Sequence, residues 1–134
     1  SGTRYYYRIR AVNPSGASAF SNSDDAVTSG PPPAPSNLNA QAFGETLIVL
    51  TWSDNSNIES GYAVERKNGA NWDLIATTAA NAATFTNTGL TKTTPYTYRV
   101  RTNSSQGQSA DYSNEASATT WSITLRVFLP AVRR

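Results

Sequence analysis

The 134-residue sequence contains no cysteine, no histidine and no methionine. Without cysteine there are no disulfides and no thiolate nucleophile. Without histidine there is no His-based catalytic triad, and without either residue no zinc site of the usual kind. No cofactor is therefore expected. With no methionine, the expectation is that the sequence is an excised or processed piece. Charged residues make up only 15% of the chain. No apolar run approaches the roughly 20 residues needed to span a bilayer, so no membrane span is expected.

The net charge of +2 is unevenly spread. Arg4, Arg8 and Arg10 outweigh Asp24 and Asp25 near the start, and Arg126, Arg133 and Arg134 crowd the last residues. Between them, residues 31–120 are slightly acidic. A body of that sign offers no electrostatic footprint for a phosphate backbone, and nucleic acid is not an expected partner.

What the sequence does have is turn chemistry at short intervals: Asn13-Pro14-Ser15-Gly16, Asp54-Asn55-Ser56-Asn57, Asn68-Gly69 and Gln106-Gly107. Between these lie short alternating segments. Ile48, Leu50 and Trp52 share one face, Tyr62 and Val64 another, and Tyr96, Tyr98 and Val100 a third. No useful window carries a 3.6-residue apolar period. The expectation is an all-β sandwich with its core in Leu38, Ile48, Leu50, Trp52, Tyr62, Val64, Phe85, Leu90, Tyr96, Tyr98 and Val100.

The chain also repeats itself. Thr3-Arg4-Tyr5-Tyr6-Tyr7-Arg8-Ile9-Arg10 matches Thr94-Pro95-Tyr96-Thr97-Tyr98-Arg99-Val100-Arg101 at an offset of 91. Ser18 aligns with Ser109 and, after one inserted residue, Ser21-Asn22 with Ser113-Asn114. A period near 90 residues suits tandem sandwich modules. The expected organisation is a partial module over 1–30, its last two strands, then a complete module over 31–120, and a tail over 121–134. The run Pro31-Pro32-Pro33-Ala34-Pro35 is the linker, since proline fixes φ and favours an extended spacer.

These residues resemble the fibronectin type III family. The markers are Pro35 and Leu38 opening the first strand, Trp52 ending the second, Tyr62-x-Val64 on the third, and Leu90 followed by Tyr96 six residues later. The resemblance implies an immunoglobulin-like sandwich of seven strands in the complete module; it implies that Leu90 and Tyr96 form a tyrosine corner, with the phenol hydrogen-bonding upstream backbone, and gives Tyr5 the equivalent place in the partial copy. Leu50-Thr51-Trp52-Ser53-Asp54-Asn55-Ser56 and Gly61-Tyr62-Ala63-Val64-Glu65-Arg66 are similar to modules appended to secreted bacterial hydrolases and surface proteins. Such modules act as non-catalytic spacers or adhesion units, at an extracellular or cell-surface location, with other domains of the parent protein as partners. A polysaccharide or a further protein is the remaining partner class.

Several residues invite a functional reading. Trp52, on the inward face, reads as core rather than as a sugar-stacking ring. Trp72, after the Asn68-Gly69 turn, reads as a cover over the open end of the core, or alternatively as a sugar-stacking contact of a carbohydrate-binding module. Tyr6 is the other possible ligand contact, but its aligned outward position in the second copy is Thr97, so no aromatic stripe repeats. Asp54, Asn55, Asn57 and Glu59 place oxygens in one loop, yet the full calcium-loop pattern is missing, with no glycine at its sixth place and no bidentate glutamate at its twelfth, so turn chemistry is the expectation and no metal site is assigned. Asp54, Glu59, Glu65, Asp73, Asp111 and Glu115 lie on loops or outward positions, with no cleft to raise a carboxyl pKa. Enzyme activity is not expected.

The ends are unusual. Tyr5, Tyr7 and Ile9 should point toward a core whose other strands are missing. Residues 123–129 largely alternate and read as a strand ended by Pro130, or as a sorting or disordered tail.

Overall fold

A computed structural model describes residues 2–123, and the alternating segments become strands in it. The strands are β1 (Arg4–Tyr7), β2 (Val12–Asn13), β3 (Gly16–Ala17), β4 (Asp24–Val27), β5 (Ser36–Ala42), β6 (Ile48–Ser53), β7 (Glu59–Asn68), β8 (Asn71–Thr77), β9 (Thr84–Asn87), β10 (Pro95–Ser104), β11 (Gly107–Gln108) and β12 (Ala116–Thr119). All pairings are antiparallel. The tail strand expected over 123–129 lies outside the described residues from 124 onward.

From β5 onward the strands form two layers. One sheet runs β5–β6–β9; the other runs β11–β10–β7–β8, with β12 also on β10. The period-2 pattern sends one set of side chains from each layer into a common core. Ile48, Leu50, Tyr62, Val64, Tyr98 and Val100 are wholly buried, with Leu38, Trp52 and Leu90 beside them. Phe85 and Tyr96, expected in the core, are partly buried at its margin. The rings of Trp52 and Tyr62 meet with centroids 5.5 Å apart.

Backbone geometry fixes the pole at which the chain enters this sandwich. Gly61 has φ +152, and a Cβ there would lie 2.0 Å from the Thr78 carbonyl oxygen. Thr78 in turn holds Tyr62 through N–H to O (2.9 Å) and accepts the Tyr62 N–H on Oγ1 (3.2 Å). The proline run is stitched to the same pole. Pro32 and Pro35 are buried. Thr102 Oγ1 donates to the Pro33 carbonyl (2.7 Å), and Asn55 Nδ2 donates to that of Ala34 (2.9 Å).

Residues 2–28 form a separate pairing, with β1 on β4 and β2 on β3. It repeats the β10–β12 hairpin bond for bond. Thr3 N–H donates to Thr28 Oγ1 (2.9 Å) as Thr94 N–H does to Thr120 Oγ1 (3.0 Å). Ile9 N–H donates to Ser21 Oγ (3.1 Å) as Val100 N–H does to Ser113 Oγ (3.0 Å). Ala11 N–H donates to Ser18 Oγ (3.0 Å) as Thr102 N–H does to Ser109 Oγ (3.1 Å). Burial does not repeat. Tyr7 is 58% exposed where its counterpart Tyr98 is 0%, and Ile9 is 76% exposed where Val100 is 0%.

Candidate functional site

The outer face of the larger sheet carries the densest polar constellation. Strand alternation sends Glu65 and Lys67 of β7, Trp72 of β8, and Arg99 and Arg101 of β10 to the side away from the core. Register brings them together: Arg99 lies opposite Glu65, and Lys67 opposite Trp72. Arg99 Nε and Nη2 reach Glu65 Oε2 at 2.8 and 2.7 Å, and Arg101 Nη2 lies 3.7 Å from Oε1. Tyr112 donates its hydroxyl to Oε1 (3.1 Å). Glu65 is thereby only 7% exposed although it faces outward. A carboxylate can be withdrawn from water here because donors fill both oxygens.

The guanidinium of Arg99 is also a stacking plane. It lies 3.6 Å from the Tyr112 ring centroid and 4.3 Å from that of Trp72. Lys67 Nζ approaches Trp72 at 5.5 Å, and Arg101 approaches Tyr112 at 5.0 Å. The result is a ladder of cations and aromatic faces. Trp72 thus sits on the outer sheet face against Arg99, rather than over the end of the core. Tyr6 is 70% exposed on the N-terminal hairpin and is not brought near Trp72. The sequence reading missed Tyr112 and the burial of Glu65. The signal was weak: Tyr112 lies outside any strand, and only the 65–99 register reveals the pair.

Tyr96 makes the corner bond, accepting the Thr91 N–H on its hydroxyl (3.0 Å), with Leu90 buried next to it. Tyr98 accepts from the buried Asn87 Nδ2 (3.0 Å), and burial raises its phenol pKa above the usual value despite that bond. In the loop after β6, Asp54 Oδ1 accepts the Ser56 N–H (2.9 Å) and Ser56 Oγ the Ile58 N–H (3.2 Å), which is the expected turn chemistry. A shallow concavity of about 420 Å³ is lined by residues 11–13 and 15–18 and contains no ionisable side chain. No helix among the described residues is long and apolar enough to cross a membrane.

With two packed antiparallel sheets, a buried indole and a tyrosine corner in place, the class is an immunoglobulin-like β-sandwich. The chain belongs to the fibronectin type III domain family, whose model matches residues 33–119. It is 32% identical to Exoglucanase B of Cellulomonas fimi over 132 residues, covering 90% of this chain and 12% of that protein. The crystal structure of an Fn3-like protein from Clostridium thermocellum is 27% identical with a TM-score of 0.56, covering 70% of this chain and 98% of the other. Chicken CNTN1 FN1-FN3 domains align with a TM-score of 0.60 and 16% identity, over 90% of this chain and 43% of theirs. The chain therefore spans about an eighth of its curated relative.

Proposed function

We propose that this chain is a non-catalytic spacer and interaction region of a secreted or cell-surface bacterial protein built with tandem fibronectin type III modules. The parent is a multidomain hydrolase or adhesin, and the partners of this region are its other domains. The bond-for-bond repetition of the β10–β12 hairpin by residues 3–28 carries the reading. In the complete module Asn114 clasps the first strand, donating to the Leu38 carbonyl and accepting the Leu38 N–H, each at 2.9 Å. Asn22 is its counterpart on the N-terminal hairpin. The alternation of Tyr5, Tyr7 and Ile9 then belongs to a face that further strands cover. A 90-residue sandwich filled by its own side chains has no room for a reaction, which supports a non-catalytic role.

Fusing residues 31–93 ahead of Thr3 supplies the strands that the repeat calls for. Amide exchange at Tyr7 and Ile9 should then slow to the level of Tyr98 and Val100. Continued rapid exchange in a fusion whose second module is intact sinks the tandem reading.

The competing reading, a carbohydrate-binding accessory module, draws on the exoglucanase likeness and on Trp72. Arg99 already occupies one face of that ring. Retention on insoluble polysaccharide that is lost in Trp72→Ala would favour this alternative; no retention favours the spacer.

A further inference from the structure

The stack of arginines on Tyr112 has a twin on the N-terminal hairpin. Arg8 lies 3.8 Å from the Phe20 ring centroid and Arg10 4.9 Å, where Arg99 and Arg101 lie 3.6 and 5.0 Å from that of Tyr112. The backbone bonds that set these positions repeat as well. Ser21 N–H donates to the Ile9 carbonyl and Ser113 N–H to that of Val100, each at 2.8 Å. Ser18 N–H donates to the Ala11 carbonyl (3.0 Å) as Ser109 N–H does to that of Thr102 (2.9 Å). Phe20 and Tyr112 each stand immediately before the matched serine. Alternation sends both arginine pairs to one side of their hairpin, with an aromatic ring against them.

One member of the cluster is not duplicated. Arg99 and Arg101 share the Glu65 carboxylate, which the β7–β10 register sets opposite Arg99. Among the described residues, no ion pair includes Arg8 or Arg10. The carboxylates of the hairpin are used elsewhere: Asp25 pairs with Arg4 at 3.0 Å, and Asp24 accepts the Asp25 N–H at 2.8 Å. Two guanidiniums held on one ring repel each other until an anion joins them. The backbone is open on the matching side. β10 pairs with β12 along one edge and with β7 along the other, whereas β1 pairs only with β4 among the described residues.

We propose that Arg8, Arg10 and Phe20 form a receptor for a carboxylate carried on an added antiparallel strand, the acid standing opposite Arg8 as Glu65 stands opposite Arg99. The occupant is the third strand of the hairpin's own module, the counterpart of β7. This identification rests on the tandem reading given above. Charge and backbone call for the same partner, since the strand that brings the anion also satisfies the open edge. The guanidiniums supply charge-assisted donors, and the acid fixes register, because a slip of one residue would turn it to the other face. A neutral or basic residue at that position would leave both arginines without an anion. The two receptors are not equal. Phe20 has no hydroxyl, so the donor that Tyr112 gives to Glu65 Oε1 is missing and the arginines hold the acid alone.

The test uses the fusion in which a copy of residues 31–93 precedes Thr3, so that the copied Glu65 falls opposite Arg8. Slowed amide exchange at Tyr7 and Ile9 establishes that the added strands have paired. The Arg8 Nε–H should then be protected from water relative to the unfused chain, and Glu65→Gln in the copy should abolish that protection. Glu65→Gln in the copy and Arg8→Gln should each speed Ile9 amide exchange by about tenfold, and together by little more than either alone, the mark of a direct pair. Asp25→Asn, which frees Arg4 instead, should add to either in full. If Tyr7 and Ile9 are protected while the Arg8 Nε–H exchanges freely, or if the two glutamine substitutions simply add, the receptor is overturned and the tandem reading stands. If Tyr7 and Ile9 stay unprotected, the tandem reading fails and the receptor with it.

Discussion

Arg99 donates twice to a single carboxylate oxygen of Glu65, at 2.7 and 2.8 Å, while its flat face stacks on Tyr112. The pairing uses both properties of a guanidinium, the directed fork and the stacking plane. It locks β10 to β7 across the outer face. Arg99→Lys keeps the charge and loses both, so it should not be conservative. Breaking such a pair in a dry interior costs about 3–5 kcal/mol; Arg99 retains some exposure, so about 1–3 kcal/mol is expected. Urea unfolding midpoints measure the difference. A midpoint equal to the wild type would show the ladder to be ornamental. Glu65→Ala should cost at least as much, because Tyr112 and both arginines lose their acceptor.

The buried phenols make an alkaline limit. Tyr98 and Tyr62 both have pKa values raised by burial above the ordinary value of 10.0. A phenol that ionises less readily when folded stabilises fully below the unfolded pKa, and that stability drains away as pH climbs above about 10. Thermal melts at rising pH should therefore fall more steeply than in Tyr98→Phe, which has one fewer phenol to ionise. Near neutral pH the order reverses. Tyr98→Phe strands Asn87 Nδ2, which is buried against it, at about 1–3 kcal/mol. Parallel pH profiles for the two proteins would contradict the assignment.

Gly61 tests the backbone rather than a side chain. Its φ of +152 is one that L side chains rarely adopt, and its missing Cβ is the space into which the Thr78 carbonyl fits. Gly61→Ala should move β7 away from the 77–79 segment and cost several kcal/mol, about 2–4 on the scale of strained backbone and overpacking. The Thr78 N–H, donated to the Tyr62 carbonyl, and the Tyr62 N–H, donated to Thr78 Oγ1, should exchange fastest in the variant. Gly69→Ala provides the contrast: φ there is +60, but nothing lies within 4 Å, so only the turn strain remains.

How much of this could be read in advance follows from where the information resides. Alternation along one strand is local, so Ile48, Leu50, Trp52, Tyr62, Val64, Tyr98 and Val100 were legible as core from spacing alone. The repeat was equally legible, because Thr3 to Arg10 and Thr94 to Arg101 match in order. The ladder was not. Glu65 looked like any outward carboxylate until the register set Arg99 opposite it, and register depends on Gly61, on the bulge after Asn103 and on loop lengths. Trp72 fell on the wrong surface for the same reason. A two-sided sheet gives a half-exposed indole two places to go, and the choice was made by Arg99, a residue 27 positions away in sequence. Phe85 and Tyr96 alternate correctly, but they sit at the margin of the core, so period predicts their direction and not their depth.

The linker offers the last expectation, and it concerns motion. Five residues including four prolines would suggest a stiff rod free to swivel at both ends. The structure anchors its C-terminal half instead. Thr102 reaches the Pro33 carbonyl, Asn55 holds Ala34, and Pro32 and Pro35 are buried against the module. The free swivel is thereby confined to the stretch around Gly30 and Pro31. Thr102→Val keeps the shape of a wholly buried residue and removes the donor, leaving the Pro33 carbonyl to water. Combined with Asn55→Ala, it should release residues 33–34. The amide relaxation of Ala34 reports it, with an order parameter falling from about 0.85 toward values below about 0.6. Residues 96–100, which lie away from the linker, should keep theirs. If Ala34 stays rigid in the double variant, burial of the prolines alone holds the joint, and the two hydrogen bonds are consequences of that packing rather than its cause.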